Sequence, residues 1–248
     1  SSAASDVYKR QGFALTGVGR NPQEYPTVSI ENGIDGSRAI KLETKSTGQF
    51  GETVKMPIAA GNLFLGSFDV NNAVQKPLKA TLFGLPFGKK PLKFKGYYKY
   101  VPGTQSFKAK DKNGNTVTIS RQADEGDIYA VLYEAAGLDG KVLDGNNVLT
   151  SKNIVALARV EVEKTDRYIE FETSFQYGER KEISWPQFIY RDPSDDGTGK
   201  YLRFSEEKMK NYEYNLAVVF TSSKYGAYFA GSVGSTLCID KVEIVCEK

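Results

Sequence analysis

The sequence predicts an all-β chain folded as one jelly-roll β-sandwich, and three observations carry that prediction. Apolar residues alternate with polar ones at a period of two along many short segments. Turn residues separate those segments at short intervals. No long segment repeats its apolar residues at helical spacing. A chain of 248 residues suits one large β domain and is long enough to bury a sizeable core. No Pro/Gly/Ser linker or internal repeat divides it, so residues 1–248 read as a single domain with 1–11 as a flexible leading segment.

The elements follow from the pattern. In KKPLKFKGYYKYVPG (89–103), Leu92, Phe94, Tyr98 and Tyr100 share one face, and Lys93, Lys95, Tyr97 and Lys99 share the other. Two readings of the second face stand: solvated lysines on an ordinary strand, or Tyr97 as a stacking surface for a sugar ring. DKNGNT (111–116) places Asn-Gly between extended runs, a hairpin signal. Its Asp-x-Asn-x-Asn opening hints at a calcium loop, but Thr116 stands where that loop needs Gly and no Glu closes it. IYAVLYE (128–134) and NLAVVF (215–220) are apolar on both faces and belong inside a sheet. IVALARVEVE reads as half-buried, with Ile154, Ala156, Ala158, Val160 and Val162 inward and Arg159, Glu161 and Glu163 outward. YIEFETSFQY alternates in the same way. SEEKMKNYEY (205–214) predicts a short helix capped by Ser205.

Composition excludes several classes of chemistry. The chain has no histidine, so Ser-His-Asp and Cys-His nucleophile systems and histidine-based zinc sites are impossible. Carboxylate chemistry, oxygen-ligated calcium or no chemistry remain. A net charge of +3 with no second dense basic cluster argues against nucleic acid. There is no membrane-spanning apolar run. Cys238 and Cys246 stand eight residues apart on one apparent strand, a separation of roughly 26 Å at about 3.3 Å per residue, which predicts buried free thiols. The opening SSAASD carries no signal peptide and reads as a trimmed start, leaving export open.

Four blocks in order, PIAAGNLFLGSF (57–68), KPLKFKGYYKYVPG (90–103), GDIYAVLYE (126–134) and SSKYGAYFAGSVGSTLCIDKVEI (222–244), resemble the putative carbohydrate metabolism domain family of gut Bacteroidetes. The resemblance runs from about residue 36 to the end. It is weak over 1–35, and 179–212 is longer than the usual pattern. It implies a jelly-roll sandwich, exported and tethered to the outer surface as a lipoprotein. It implies a role in recognising or processing polysaccharide, or in adhesion. It also implies a glycan as partner, with further outer-membrane proteins beside it. GSTLCIDKVEI is similar to the last strand of galactose-binding and carbohydrate-binding-module-like jelly rolls, where an Asp often helps hold a structural calcium.

Asp240 is therefore the candidate metal ligand; Cys238, Asp240, Val242, Ile244 and Cys246 read as one strand face, on which a carboxylate needs hydrogen bonds or a cation. The other reading is a carboxylate capping nearby N–H groups. No other cofactor is expected.

The best binding candidate is ERKEISWPQFIYRDPSDDGTGK (179–200), a long irregular loop containing the chain's one tryptophan. Sugars stack apolar C–H faces on aromatic rings, and planar Asp and Arg groups bond hydroxyls. Trp185, Tyr190, Arg191 and Asp192 are the candidates here. Alternatively, Trp185 packs over a sheet edge and the acids are merely solvated.

In 222–236, Ser222, Ser223 and Lys224 form either the rim of a ligand groove or part of a tight crossing; Lys224 joins the candidates. GTGK (197–200) is followed by Tyr201, which defeats a phosphate-loop reading. Thirty acidic residues guarantee candidate carboxylate pairs and the sequence selects none; Asp127, at the mouth of a strongly apolar strand, and Glu43 are examples only and not site candidates. The leading expectation is a non-catalytic, surface-displayed glycan-binding or adhesion module. A carboxylate-pair glycosidase and a structural subunit of a surface adhesin are the alternatives.

Overall fold

The computed structural model describes residues 24–73, 75–135 and 142–248, and the expected flexible segment 1–11 lies outside them. The strands in chain order are β1 (Thr27–Ile30), β2 (Ala39–Glu43), β3 (Lys45–Ser46), β4 (Ile58–Ala59), β5 (Asn62–Phe64), β6 (Gly66–Phe68), β7 (Thr81–Phe83), β8 (Leu85–Pro86) and β9 (Pro91–Val101). They continue with β10 (Lys108–Lys110), β11 (Thr116–Thr118), β12 (Asp127–Glu134), β13 (Ile154–Val160), β14 (Ile169–Ser174), β15 (Gln176–Tyr177), β16 (Tyr214–Thr221) and β17 (Thr236–Cys246). Two antiparallel sheets make the sandwich. The first has the order β1-β2-β17-β9-β14; the second runs β15-β13-β12-β16-β5, with β8 also on β16. The fold is all-β and of the jelly-roll type.

The main core lies between the sheets. Phe94, Tyr98 and Tyr100 of β9 and Leu237 and Ile239 of β17 meet Ile128, Ala130 and Leu132 of β12 and Leu216 and Phe220 of β16. This is the inner side of the lysine-rich stretch. Its outer side carries Lys93 paired to Glu172 and Lys95 paired to Glu243, exposed contacts of little energetic weight. One residue departs from the expected face: Leu92, at the sheet margin, is exposed rather than inward.

A second core covers the outer face of the second sheet. Tyr129, Val131 and Tyr133 alternate onto that face from β12 and pack with Phe83, Leu143, Val148, Ile154, Leu157, Tyr201 and Val219. For this reason Ile154–Ala158 are buried on both sides, not half-buried as the alternation predicts. Ile154 lies in the outer cluster rather than the inner one, next to a register irregularity at Leu132/Tyr133. Loops supply the cover, and the sequence pattern of a strand does not reveal what loops will be laid over it.

The hairpin at Asp111 and the short helix are as expected. Lys108–Lys110 pairs with Thr116–Thr118, with Asp111 Oδ1 accepting from the N–H groups of Asn113 and Asn115. The Ser205 hydroxyl accepts from Lys208 N at the start of the helix Glu206–Lys210. Both cysteines are free, Cys238 buried and Cys246 half-buried. Among the described residues, no helix is long and apolar enough to cross a membrane.

Candidate functional site

The period-two alternation of three neighbouring strands builds the floor of a cleft on the outer face of the second sheet. Asp127 and Tyr129 of β12 face outward together; Arg159 of β13 pairs in register with Tyr129, while Val219 and Thr221 of β16 pair with Tyr129 and Asp127. Arg159 therefore stands diagonally across from Asp127 and grips it with two parallel bonds, Nε to Oδ1 at 2.9 Å and Nη2 to Oδ2 at 2.7 Å. The carboxylate is 3% exposed, so its charge is held by that fork rather than by water.

The walls come from loops. Lys224, Tyr225 and Tyr228 stand on the crossing after β16, Trp185 on the long 179–200 loop, and Thr150 on the loop before β13; with the floor they enclose about 80 Å³. Trp185 meets Tyr225 at 6.3 Å and Tyr228 at 6.0 Å between ring centres, an aromatic corner over a polar floor. Lys224 Nζ is bonded to Glu125 at 2.6 Å and lies 5.7 Å from the Tyr225 ring centre. The Tyr228 hydroxyl is buried without a hydrogen-bond partner of good geometry.

The crossing 222–236 is rigid because a buried acid organises it. Asp124 Oδ2 accepts from Ser223 Oγ at 2.6 Å, Ser235 Oγ at 2.7 Å and Ser232 N at 2.7 Å, and Oδ1 accepts from Glu125 N at 2.9 Å. Thr44 Oγ1 ties in both Ser222 and Ser223. This is the tight internally bonded crossing, with Ser222 fully buried inside it rather than at a rim. Only Ser223 and Lys224 of the proposed Ser222–Lys224 rim line the cleft.

Arg191 acts on Trp185 from behind. Its guanidinium lies 4.8 Å from the Trp185 ring centre, forks onto Asp196 at 2.6 and 2.5 Å, and reaches Thr150 Oγ1 at 3.0 Å. With its fork taken by Asp196, Arg191 is a positioning residue. Burial would raise the Asp196 carboxyl, but the Arg191 and Thr150 contacts outweigh it and hold it below its ordinary 3.8. A depressed carboxyl contributes stability above its unfolded value and loses it as pH falls through the folded value. The single tryptophan should therefore show constant fluorescence at neutral pH and a change below about 3.8, at the lower folded value. An Asp196→Asn variant should lack that acid transition. A transition unchanged in the variant would detach Asp196 from the Trp185 environment.

The remaining candidates lie elsewhere. Tyr190 is 53% exposed and outside the cleft lining, and exposed Asp192 accepts from Ser194 N in a local turn. Tyr97 pairs with Asp240 across β9 and β17, on the outer face of the first sheet, so it belongs to the opposite side of the sandwich from Trp185.

The expected face of Asp240 ends there, because Lys241 adopts φ +47° and a bulge follows. Beyond it Val242 is exposed while Ile244 packs toward the core. Asp240 accepts from Ile34 N at 2.9 Å, Lys241 N at 2.8 Å and the Ser37 hydroxyl. Burial would raise its carboxyl, but these donors outweigh it and set it below the ordinary value. Protein donors thus supply the compensation that Asp240 needs. No group of three Asp, Glu, Cys or His suited to a metal occurs among the described residues. Glu43 is tied to Lys41 on β2 and to Lys45 on β3.

The chain belongs to the putative carbohydrate metabolism domain family, whose model matches residues 3–245. The match thus extends into the 1–35 segment, where the sequence resemblance is weak. A Bacteroides thetaiotaomicron structure described as a putative glycoside hydrolase is 41% identical with a TM-score of 0.79, over 97% of this chain and 62% of that one. A Bacteroides vulgatus structure of the same description is 37% identical with a TM-score of 0.75, over 96% of this chain and 84% of that one. This chain thus spans less than two thirds of the first relative's length. No protein with a curated description matches it.

Proposed function

We propose that this domain is a non-catalytic carbohydrate-binding module, displayed on the surface of a glycan-utilising bacterium, and that it holds its glycan in the Trp185–Tyr228 cleft. The observation that carries the reading is the cleft's composition: three aromatic rings above a floor where Asp127 and Arg159 are locked together. Rings accept the apolar face of a sugar, and the N–H and hydroxyl groups of Arg159, Lys224 and Tyr225 in the cleft lining suit its hydroxyls. Tethering as an exported outer-membrane lipoprotein, beside other outer-membrane proteins, fits the Bacteroides relatives and is part of the same proposal.

The relatives' description favours a second reading, a glycoside-processing enzyme. Such an enzyme needs two carboxylates about 5–5.5 Å or 6.5–9.5 Å apart across the scissile bond. Among the described residues that line the cleft, Asp127 is the one carboxylate, and both its oxygens are bound by Arg159. A cleft whose one carboxylate is held in an ion pair supports binding over hydrolysis.

A glycan-array screen of the purified chain, run with calcium and again with chelator, tests the reading. Reproducible binding that is lost in Trp185→Ala and kept in Tyr97→Ala supports the cleft. Binding that follows Tyr97 instead moves the site to the opposite face. Binding that needs calcium returns attention to Asp240. Release of reducing sugar from a bound glycan replaces the binding reading with the enzymatic one.

A further inference from the structure

We propose that the glycan recognised by this domain carries an aryl-sized apolar substituent, which enters a separate apolar hollow adjoining the cleft; this rests on the glycan-binding reading above. The hollow measures about 180 Å³, more than twice the cleft's 80 Å³, and its walls include Ile58, Phe64, Phe68, Leu78, Phe83 and Phe229. The two spaces share Asn62, Phe83, Gly145, Val219 and Ala227, so they are neighbours across one wall rather than two remote sites.

Their chemistry is complementary. The cleft offers ions, hydroxyls and ring faces. In the hollow, Thr27 Oγ1 donates to Asn62 O at 2.9 Å, Asn62 Nδ2 donates to Ala60 O at 3.0 Å, and the Thr47 hydroxyl donates to Met56 O. With those polar groups turned to neighbouring carbonyls, the hollow offers little to a sugar hydroxyl or to water. A dry apolar cavity of roughly 150 Å³ is known to accept benzene. The size therefore suits one aromatic ring or a short acyl group, and a whole sugar is excluded by its hydroxyls. A ligand spanning both spaces has a polar ring over Asp127–Arg159 and an apolar group past Ala227.

Paired titrations of the full chain with methyl and phenyl glycosides of glucose, galactose, mannose and xylose test this, together with toluene uptake followed by NMR. Ala59 is half-buried and lines the hollow but not the cleft, so Ala59→Leu should fill part of the hollow and leave the cleft lining in place. The expected result is a phenyl glycoside bound about tenfold or more tightly than its methyl partner. In Ala59→Leu that preference should fall to near unity, with methyl glycoside affinity held within about twofold. Toluene should enter the native protein and be lost from the variant. Equal binding of phenyl and methyl glycosides overturns the inference and leaves the glycan reading intact. A preference that persists in Ala59→Leu places the phenyl group elsewhere and also overturns it. Toluene uptake with no glycoside bound sinks the glycan reading and takes this inference with it.

Discussion

Asp124→Ala should be among the most destabilising single substitutions in this domain, at about 3–5 kcal/mol. The carboxylate is 4% exposed and accepts from Ser223, Ser235, Ser232 and Glu125. Alanine leaves two backbone N–H groups and the Ser235 hydroxyl without their acceptor in a space from which water is excluded. The Ser223 hydroxyl retains Thr44 as a partner, which bounds the loss. Total stabilities are roughly 5–15 kcal/mol, so the variant should melt on the order of 10 °C lower.

Burial holds the Asp124 carboxyl above its ordinary 3.8, and the four donors reduce that elevation without reversing it. The native state therefore binds a proton more tightly than the unfolded chain. The advantage of the native protein over Asp124→Ala is then greatest below 3.8 and narrows as pH rises through the elevated folded value, becoming level above it. Denaturant melts at a series of pH values check both size and sign. Exposed Asp192→Ala, the control, should stay within about 0.5 kcal/mol. An Asp124→Ala cost as small as the control's would show that the crossing does not depend on this acid.

The sandwich was legible in the sequence because period two reports directly which side chains share a face. Phe94, Tyr98 and Tyr100 fall inward and Lys93, Lys95, Tyr97 and Lys99 outward by alternation alone. What alternation cannot report is the company a face keeps. Arg159 was legible as outward, but its bond to Asp127 depends on the register of β12 against β13, a non-local fact. Tyr225 and Tyr228 read as part of a glycine-rich crossing, and only the Asp124 network, which joins residues more than 95 positions apart, fixes where their rings stand. The polar pattern 222-Ser-Ser-Lys-224 was the available signal for that loop; Lys224 lines the cleft, while Ser222 is sealed inside. The face of Asp240 failed at one residue, since a left-handed Lys241 reverses the alternation after it and no glycine announces the bulge.

Trp185→Ala should weaken glycan binding by at least about tenfold, equivalent to about 1.4 kcal/mol or more, while leaving most of the stability in place. The half-buried ring closes one wall of the cleft but belongs to a loop cluster with Phe107, Ile189 and Ala230, apart from the main core between the sheets. Its loss removes the stacking face and frees Tyr228 and Arg191 from their neighbour.

Arg191→Lys separates position from contact. The guanidinium is side-chain 11% exposed and forked onto Asp196, so it does not face the ligand, yet lysine cannot reproduce a fork that also stacks beneath an indole. Binding should fall by a few-fold, with the Trp185 fluorescence spectrum altered in the free protein, before any glycan is added. Titration calorimetry with the best array ligand, read beside that spectrum, decides the matter. A loss of affinity in Arg191→Lys with an unchanged Trp185 spectrum would mean that Arg191 touches the glycan itself. No loss in Trp185→Ala would remove the aromatic corner from the site and shift the search to the ion-paired floor at Asp127 and Arg159.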